Sequence, residues 1–335
     1  MTILHFRRTI TTLTLLTLVS VMNDMANCDD PPVADQRPVT LEKHGHARVD
    51  PYYWLRNRDD KDVIAYLEAE NEYYRQQMAP LEELRDQLFN EIKGRIKQDD
   101  ASVPYKLEDH LYYRRYQQGD QYPIFARKEE SLDADEQVLL DVNQLAKGHT
   151  FYSARLTPSS FSPDGRLAAW SADTAGRRFY TIRILDMQQN QMLDDVIPDV
   201  TGSCVWANDN RTLFYTKQDP ETLRSYRVYR HVVGSDPSRD RLVYEENDET
   251  FSVGVSKTKN SKYLLIVSSQ TLSTEYQFLD ANDPTGDFEV FLPRQRNHEY
   301  GLEQSGDYFY LRTNRNAENF RLIRTNVGKR GEAHW

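Results

Sequence analysis

Two cysteines in 335 residues are too few for a disulfide framework. Cys28 falls in the first 30 residues, and Cys204 stands beside Val205-Trp206 in a run that reads as a buried strand. An inert, buried thiol is the expected state of Cys204. A basic stripe is lacking too. The formal net charge is −10, and removing residues 1–30, with two Arg against three Asp, leaves −9. A surface built for nucleic acid needs the opposite sign. Mild acidity suits cationic ligands but is commonly plain solubility.

The motifs of familiar chemistry are also missing. No Gly-x-Ser-x-Gly turn occurs. The nearest approach, Gly254-Val255-Ser256-Lys257-Thr258, lacks the final glycine and falls on an expected strand. There is no phosphate loop or dinucleotide fingerprint, so no cofactor is expected. His44-Gly45-His46 resembles a metal pair, yet no third ligand follows at useful spacing, and a solvated loop is the plainer reading. His110, His149, His231 and His298 are scattered singly, each read as a surface or satisfied structural residue. The adjacent acids Asp59-Asp60, Asp194-Asp195 and Glu245-Glu246 read as solvated loop pairs, and Arg177-Arg178 as an exposed hairpin tip. No catalytic, cofactor-binding or metal-binding residue is assigned.

No long apolar run spans a membrane. Arg7-Arg8 precede an uncharged stretch from Thr9 to Met22, short for a bilayer but of the length of a signal-peptide core. Residues 1–30 thus read as a leader, pointing to a periplasmic or otherwise exported protein. The alternative is cytoplasmic, because Asp24-Met25-Ala26 and the Asn27 before Cys28 make poor cleavage sites.

What the chain has is strand formers, 21 Tyr and 13 Phe, arranged in a repeat. Leu111, Leu167, Leu213, Leu264 and Phe309 each open a short apolar run after a polar turn, at separations of 56, 46, 51 and 45 residues. A second run follows 11 to 13 residues later, opening on Tyr122, Tyr180, Tyr226, Tyr276 and Phe320. Strands before the turns are expected at Phe151–Leu156, Cys204–Ala207, Phe251–Ser256 and Glu299–Glu303. Third runs are expected at Val138–Asp141, Leu242–Glu245 and Phe288–Leu292, and the fifth copy reaches its own only at Trp335. Four short strands at this period are the signature of a β-propeller blade. The fold class is therefore mainly β: residues 104–335 form an incomplete propeller of about five four-stranded blades, the last truncated.

Residues 31–103 differ. Asp29 to Val39 reads as linker, and residues 38–98 as an α-helical arm. Its first helix starts at Asp59 or Asp60 and places Ile64, Leu67, Tyr74 and Met78 on one stripe. Pro80 breaks it, and Leu81, Leu84, Leu88, Ile92 and Ile96 recur at spacings of three and four in the second. Two helices cannot bury such a face alone, so it needs something to dock on.

The stretch His44-Gly45-His46-Ala47-Arg48-Val49-Asp50-Pro51-Tyr52-Tyr53-Trp54-Leu55-Arg56 resembles the N-terminal signature of the prolyl oligopeptidase family of serine peptidases, nearest the oligopeptidase B (protease II) branch. Similar stretches are Val205-Trp206-Ala207-Asn208-Asp209, Leu242 to Glu246, Val290 to Arg294, His298-Glu299-Tyr300 and Phe309 to Arg315. The resemblance runs from about Pro38 to Trp335. It implies a helical segment, a seven-bladed propeller that restricts entry to short peptides, and a C-terminal α/β-hydrolase domain against which the helices pack. It also implies cleavage after Arg and Lys by a Ser-Asp-His triad, none of which maps onto residues 1–335. The expected partners are therefore short basic peptides and the hydrolase domain, with no nucleic acid. This chain by itself is expected to be inactive. The alternatives are a stand-alone propeller that binds peptides or proteins, and a hydrolase half carried on a separate polypeptide.

Overall fold

The computed structural model describes residues 30–335; the leader and Cys28 lie outside them. The chain divides into two compact units, the first ending at Lys97 and the second beginning at Gln98.

Residues 30–38 carry no helix or strand, and a hairpin then stands where the helical arm is expected to begin. β1 (Val39–Lys43) and β2 (His46–Asp50) pair antiparallel from Val39↔Asp50 to Lys43↔His46. Their loop is His44-Gly45, with both residues at positive φ (55° and 78°), a geometry whose twist matches that of the flanking strands. The helices follow as expected. α1 (Lys61–Met78) starts on Asp60, whose side chain accepts the Asp62 N–H at 2.9 Å. Pro80 sits in a 3₁₀ turn, Ala79–Leu81, from which α2 (Glu82–Gly94) continues. Ile96 therefore lies beyond the second helix, not on it. The more covered face of α1 is also not the expected one. It carries Val63, Tyr66, Glu70, Tyr73 and Gln77, of which Val63 is buried. Trp54 is buried in the same unit, its Nε1 donating to the Asp35 carbonyl at 2.9 Å with the Arg37 guanidinium 4.1 Å from its ring.

The second unit is five blades in chain order. Blade 1 is the sheet β3 (Tyr105–Leu107), β4 (His110–Arg115), β5 (Ile124–Glu129) and β6 (Gln137–Asp141). After β6 comes one short helix, α3 (Val142–Leu145). Blades 2 and 3 are fused into one seven-stranded sheet. It runs through β7 (Ser153–Arg155), β8 (Leu167–Asp173), β9 (Tyr180–Asp186), β10 (Gln191–Trp206), β11 (Thr212–Gln218), β12 (Ser225–Val232) and β13 (Arg241–Glu245). Blade 4 is β14 (Ser252–Lys257), β15 (Tyr263–Gln270), β16 (Ser273–Asp280) and β17 (Glu289–Val290). Blade 5 is β18 (Tyr300–Ser305), β19 (Tyr308–Thr313) and β20 (Arg321–Asn326). Near Trp335 the chain makes a 3₁₀ turn, Glu332–His334, and not the third run expected there.

The five aligned positions fall on β4, β8, β11, β15 and β19, the second strand of each blade. The runs at Val138, Leu242 and Phe288 form the fourth, outermost strands β6, β13 and β17. Tyr276 is the fourth residue of β16 and does not open it. Every strand pairing among the described residues is antiparallel, so no parallel α/β-hydrolase sheet is found there.

Four apolar clusters lie at the four seams between consecutive blades, and the two-residue period of each strand feeds them alternately. On β8, Ala168 and Trp170 face blade 1 while Ala169 faces blade 3. On β11, Leu213 and Tyr215 turn to blade 2 and Phe214 to blade 4. On β15, Leu264 and Ile266 turn to blade 3, and Tyr263 and Leu265 to blade 5. Blade 5 breaks the pattern. Phe309 and Leu311 are buried against blade 4, while Tyr308 and Leu322 are exposed.

Candidate functional site

Each seam is closed by apolar packing and then stitched by polar side chains. Between blades 1 and 2, the Arg127 guanidinium donates to the Gly165 carbonyl at 2.9 Å and the Gln137 amide to the Met187 carbonyl at 2.5 Å. Between blades 2 and 3, Trp206 Nε1 donates to the Ser160 carbonyl at 2.7 Å. Between blades 3 and 4, the Asn208 amide donates to the Ser261 carbonyl at 2.9 Å, and its carbonyl accepts Lys257 Nζ at 3.0 Å. Burial pulls that ammonium down to about 8. Between blades 4 and 5, the Tyr300 hydroxyl accepts the Tyr276 N–H at 3.0 Å.

Two further networks are larger. Arg294 crosses from blade 4 to Glu246 at 2.6 Å while also bonding Glu275 at 3.1 Å, and its guanidinium lies 4.1 Å from the Phe251 ring. Desolvation works against the Glu246 charge, but Arg294, the Asp248 N–H and the Tyr244 hydroxyl hold this carboxyl below its ordinary range. His231, wholly buried, stands between Asp195 and Asp240, 2.8 Å from each. Neither network was legible as a pair of adjacent acids: Asp195 and Glu246 are buried, not solvated.

The nearest thing to a nucleophile and base is Thr313 with His298. Thr313 Oγ1 lies 2.9 Å from His298 Nε2 and accepts the Arg315 N–H at 3.1 Å. Burial and then Arg315 lower the His298 pKa, which favours the neutral ring. Both residues are buried, and the pair is a satisfied structural contact. The Ser256 of the incomplete elbow lies on β14, in strand geometry. Cys204 is buried, its thiol pushed up to about 12 by desolvation. His44 and His46 are exposed on the hairpin, and Arg177 and Arg178 on a turn tip. Among the described residues no three or more His, Cys, Asp or Glu are grouped to hold a metal ion, and no helix is long and apolar enough to cross a membrane.

Two cavities flank the end blades. One of about 270 Å³ is lined by Tyr105, Tyr112, Tyr113, Phe125, Leu156 and Phe161, among others. Another of about 360 Å³, at the turns of blades 4 and 5, carries Lys259, Asn260, Glu303, Gln304, Ser305 and Tyr310. Neither is lined by a histidine or a cysteine. In the first unit the candidate surface is the expected stripe: Ile64, Leu67, Tyr74, Leu81, Leu84, Leu88, Ile92 and Ile96 are exposed, along with Phe89, while Met78 is half-buried.

Residues 31–335 match the family model described as prolyl oligopeptidase, N-terminal beta-propeller domain. A dipeptidyl aminopeptidase BI of Pseudoxanthomonas mexicana is 40% identical over 328 residues, covering 92% of this chain and 45% of that protein. Protease 2 of Moraxella lacunata is 35% identical over 300 residues, covering 88% and 43%. Among solved structures, oligopeptidase B from Leishmania major superposes with a TM-score of 0.83 at 30% identity, over 90% of this chain and 45% of that one. Thus the chain spans less than half the length of the relatives it matches.

Proposed function

We infer the function from membership: this chain belongs to the prolyl oligopeptidase family and is its N-terminal, propeller-bearing part. We propose that it serves as the helical arm and gating propeller of a serine peptidase that cleaves short peptides after Arg or Lys. The observation that carries this reading is the likeness to oligopeptidase B over 90% of the chain, together with the 35% identity to a protease 2. In this reading the acyl transfer, with its histidine-activated serine and oxyanion donors, is performed by residues beyond these 335. The exposed face of α1 and α2 is where the hydrolase domain docks. The blades screen substrates by size, and the net negative charge favours basic peptides entering. Export, from the Arg7-Arg8 leader, belongs to the same proposal.

A second reading is favoured by one finding. The relative at 40% identity is a dipeptidyl aminopeptidase, which suggests release of dipeptides from a free amino terminus. The decisive assay uses the native protein purified from its source cell beside the 335-residue chain. Two fluorogenic peptides are offered, one blocked at its amino terminus with Arg before the scissile bond, the other a free dipeptide. Turnover of the blocked peptide by the native protein supports the endopeptidase. Turnover of the free dipeptide alone supports the second reading. Activity of the purified 335-residue chain, absent from a matched blank preparation, overturns both.

A further inference from the structure

We propose that the seam between blades 2 and 3 is locked by a single proton, carried by His231 as an imidazolium between Asp195 and Asp240. Asp195 belongs to the half of β10 that is the outer strand of blade 2, and His231 to β12 of blade 3. Asp240 follows a 3₁₀ turn, Pro237–Arg239, and precedes β13. Nε2 lies 2.8 Å from Asp195 Oδ1, and Nδ1 lies 2.8 Å from Asp240 Oδ1.

A neutral imidazole has one N–H and one lone pair. In this geometry the lone pair would point at a carboxylate oxygen, with no water able to intervene, since the ring is 0% exposed and the two carboxylates only 4% and 3%. The imidazolium donates to both. Each carboxylate is also held by a neutral donor, Asp195 by the Gly234 N–H at 2.6 Å and Asp240 by the Tyr215 hydroxyl at 2.9 Å. The cluster therefore carries a net −1 with the proton and −2 without it.

The charged and titratable groups facing the ring are Asp195 from β10, Asp240 from the turn before β13, and Tyr215 of β11 through Asp240. Asp194, Asp236 and Arg239 nearby are exposed. Burial disfavours the cation, and the two hydrogen bonds outweigh it, so the His231 pKa is raised. The sign follows. The stabilisation is fully present below the ordinary histidine pKa and is lost as pH rises through the higher folded value. Each unit between those two values costs the seam about tenfold in its closed-to-open equilibrium. This lock is independent of which peptidase reaction the family assignment implies.

Hydrogen exchange read by mass spectrometry on the 335-residue chain tests it, from pH 6 upward, with rates corrected for their intrinsic pH dependence. Peptides from 191–200 and 225–240 should lose about tenfold of their protection per pH unit between the ordinary histidine pKa and the folded one, and level off above it, while those from 263–280 in blade 4 stay flat. Asp195→Asn removes one charge and should end that loss at a lower pH. Exchange that is flat at 191–200 and 225–240 overturns the proposal, as does a loss that ends at the same pH in Asp195→Asn. Nitrogen-15 spectra of histidine-labelled wild-type chain give a second reading. Assigned against His231→Gln, both ring nitrogens should carry protons at pH 6, below the ordinary histidine pKa, and a one-proton ring there would sink the idea.

Discussion

The arm and the blades use the same kinds of apolar residue and reach opposite ends. On the blades, Phe214, Leu264, Ile266 and Phe309 are at most 1% exposed, because each sheet face meets the next sheet. On the arm, Leu67, Leu84, Leu88 and Ile92 remain between 48% and 59% exposed, because two helices in sequence have no second layer to pack on. Burial depends on whether the chain itself brings up a partner surface. The blades complete one another over about fifty residues of sequence; the helical face waits for something else.

Substitutions can break or sharpen this contrast. The largest effect is expected at a seam. Trp206→Ala removes a side chain 1% exposed that also bonds across to Ser160, and should cost about 3–5 kcal/mol in urea unfolding of the chain. A loss under about 1 kcal/mol would mean the blades do not support one another.

Next comes Arg294→Ala, which leaves the Glu246 carboxylate buried without its cation. About 3 kcal/mol should be lost at neutral pH. The Glu246 pKa lies below its ordinary value, so its contribution is present above about pH 4.5 and disappears as pH falls through the folded value. The wild-type chain should therefore converge on the variant in acid. A gap that persists at low pH would show that Arg294 acts by packing on Phe251 instead.

On the arm, effects should be small and local. Asp60→Ala removes the cap on α1 and should weaken that helix by about 1 kcal/mol, read as faster amide exchange in 61–78 with 263–280 unchanged. Smallest of all, Leu84→Asp with Leu88→Asp should shift the unfolding midpoint by no more than about 0.5 kcal/mol. The same pair should reduce any self-association seen by sedimentation. A large destabilisation would show that the face is already covered.

Much of this architecture was legible because its determinants are local. Leu111, Leu167, Leu213, Leu264 and Phe309 all fall on the second strand of a blade, and turns such as Ser162-Pro163-Asp164-Gly165 supply the residues that tight turns need. The Asp60 cap and the Pro80 break were equally plain. What escaped was set by distance or by exceptions. The hairpin at 39–50 turns on His44-Gly45, not on the common Asn-Gly. β10 carries Pro198 and Gly202, both signals against a long strand. It survives through register shifts at Met192/Val196, Ile197/Val200 and Val200/Cys204. At Gly202, φ is +87° and a Cβ would stand 2.8 Å from the Tyr180 ring, so only glycine fits. Asp195 and His231 are 36 residues apart, and nothing in either neighbourhood announces the other.

β10 also changes how the molecule should respond to force. Most neighbouring blades join through a loop, which can slacken while both sheets stay whole. Blades 2 and 3 share one hydrogen-bonded ribbon of 16 residues, so tension on either reaches the other without slack. Under a pulling load the other blades are free to peel away singly, while these two should yield together in one longer step.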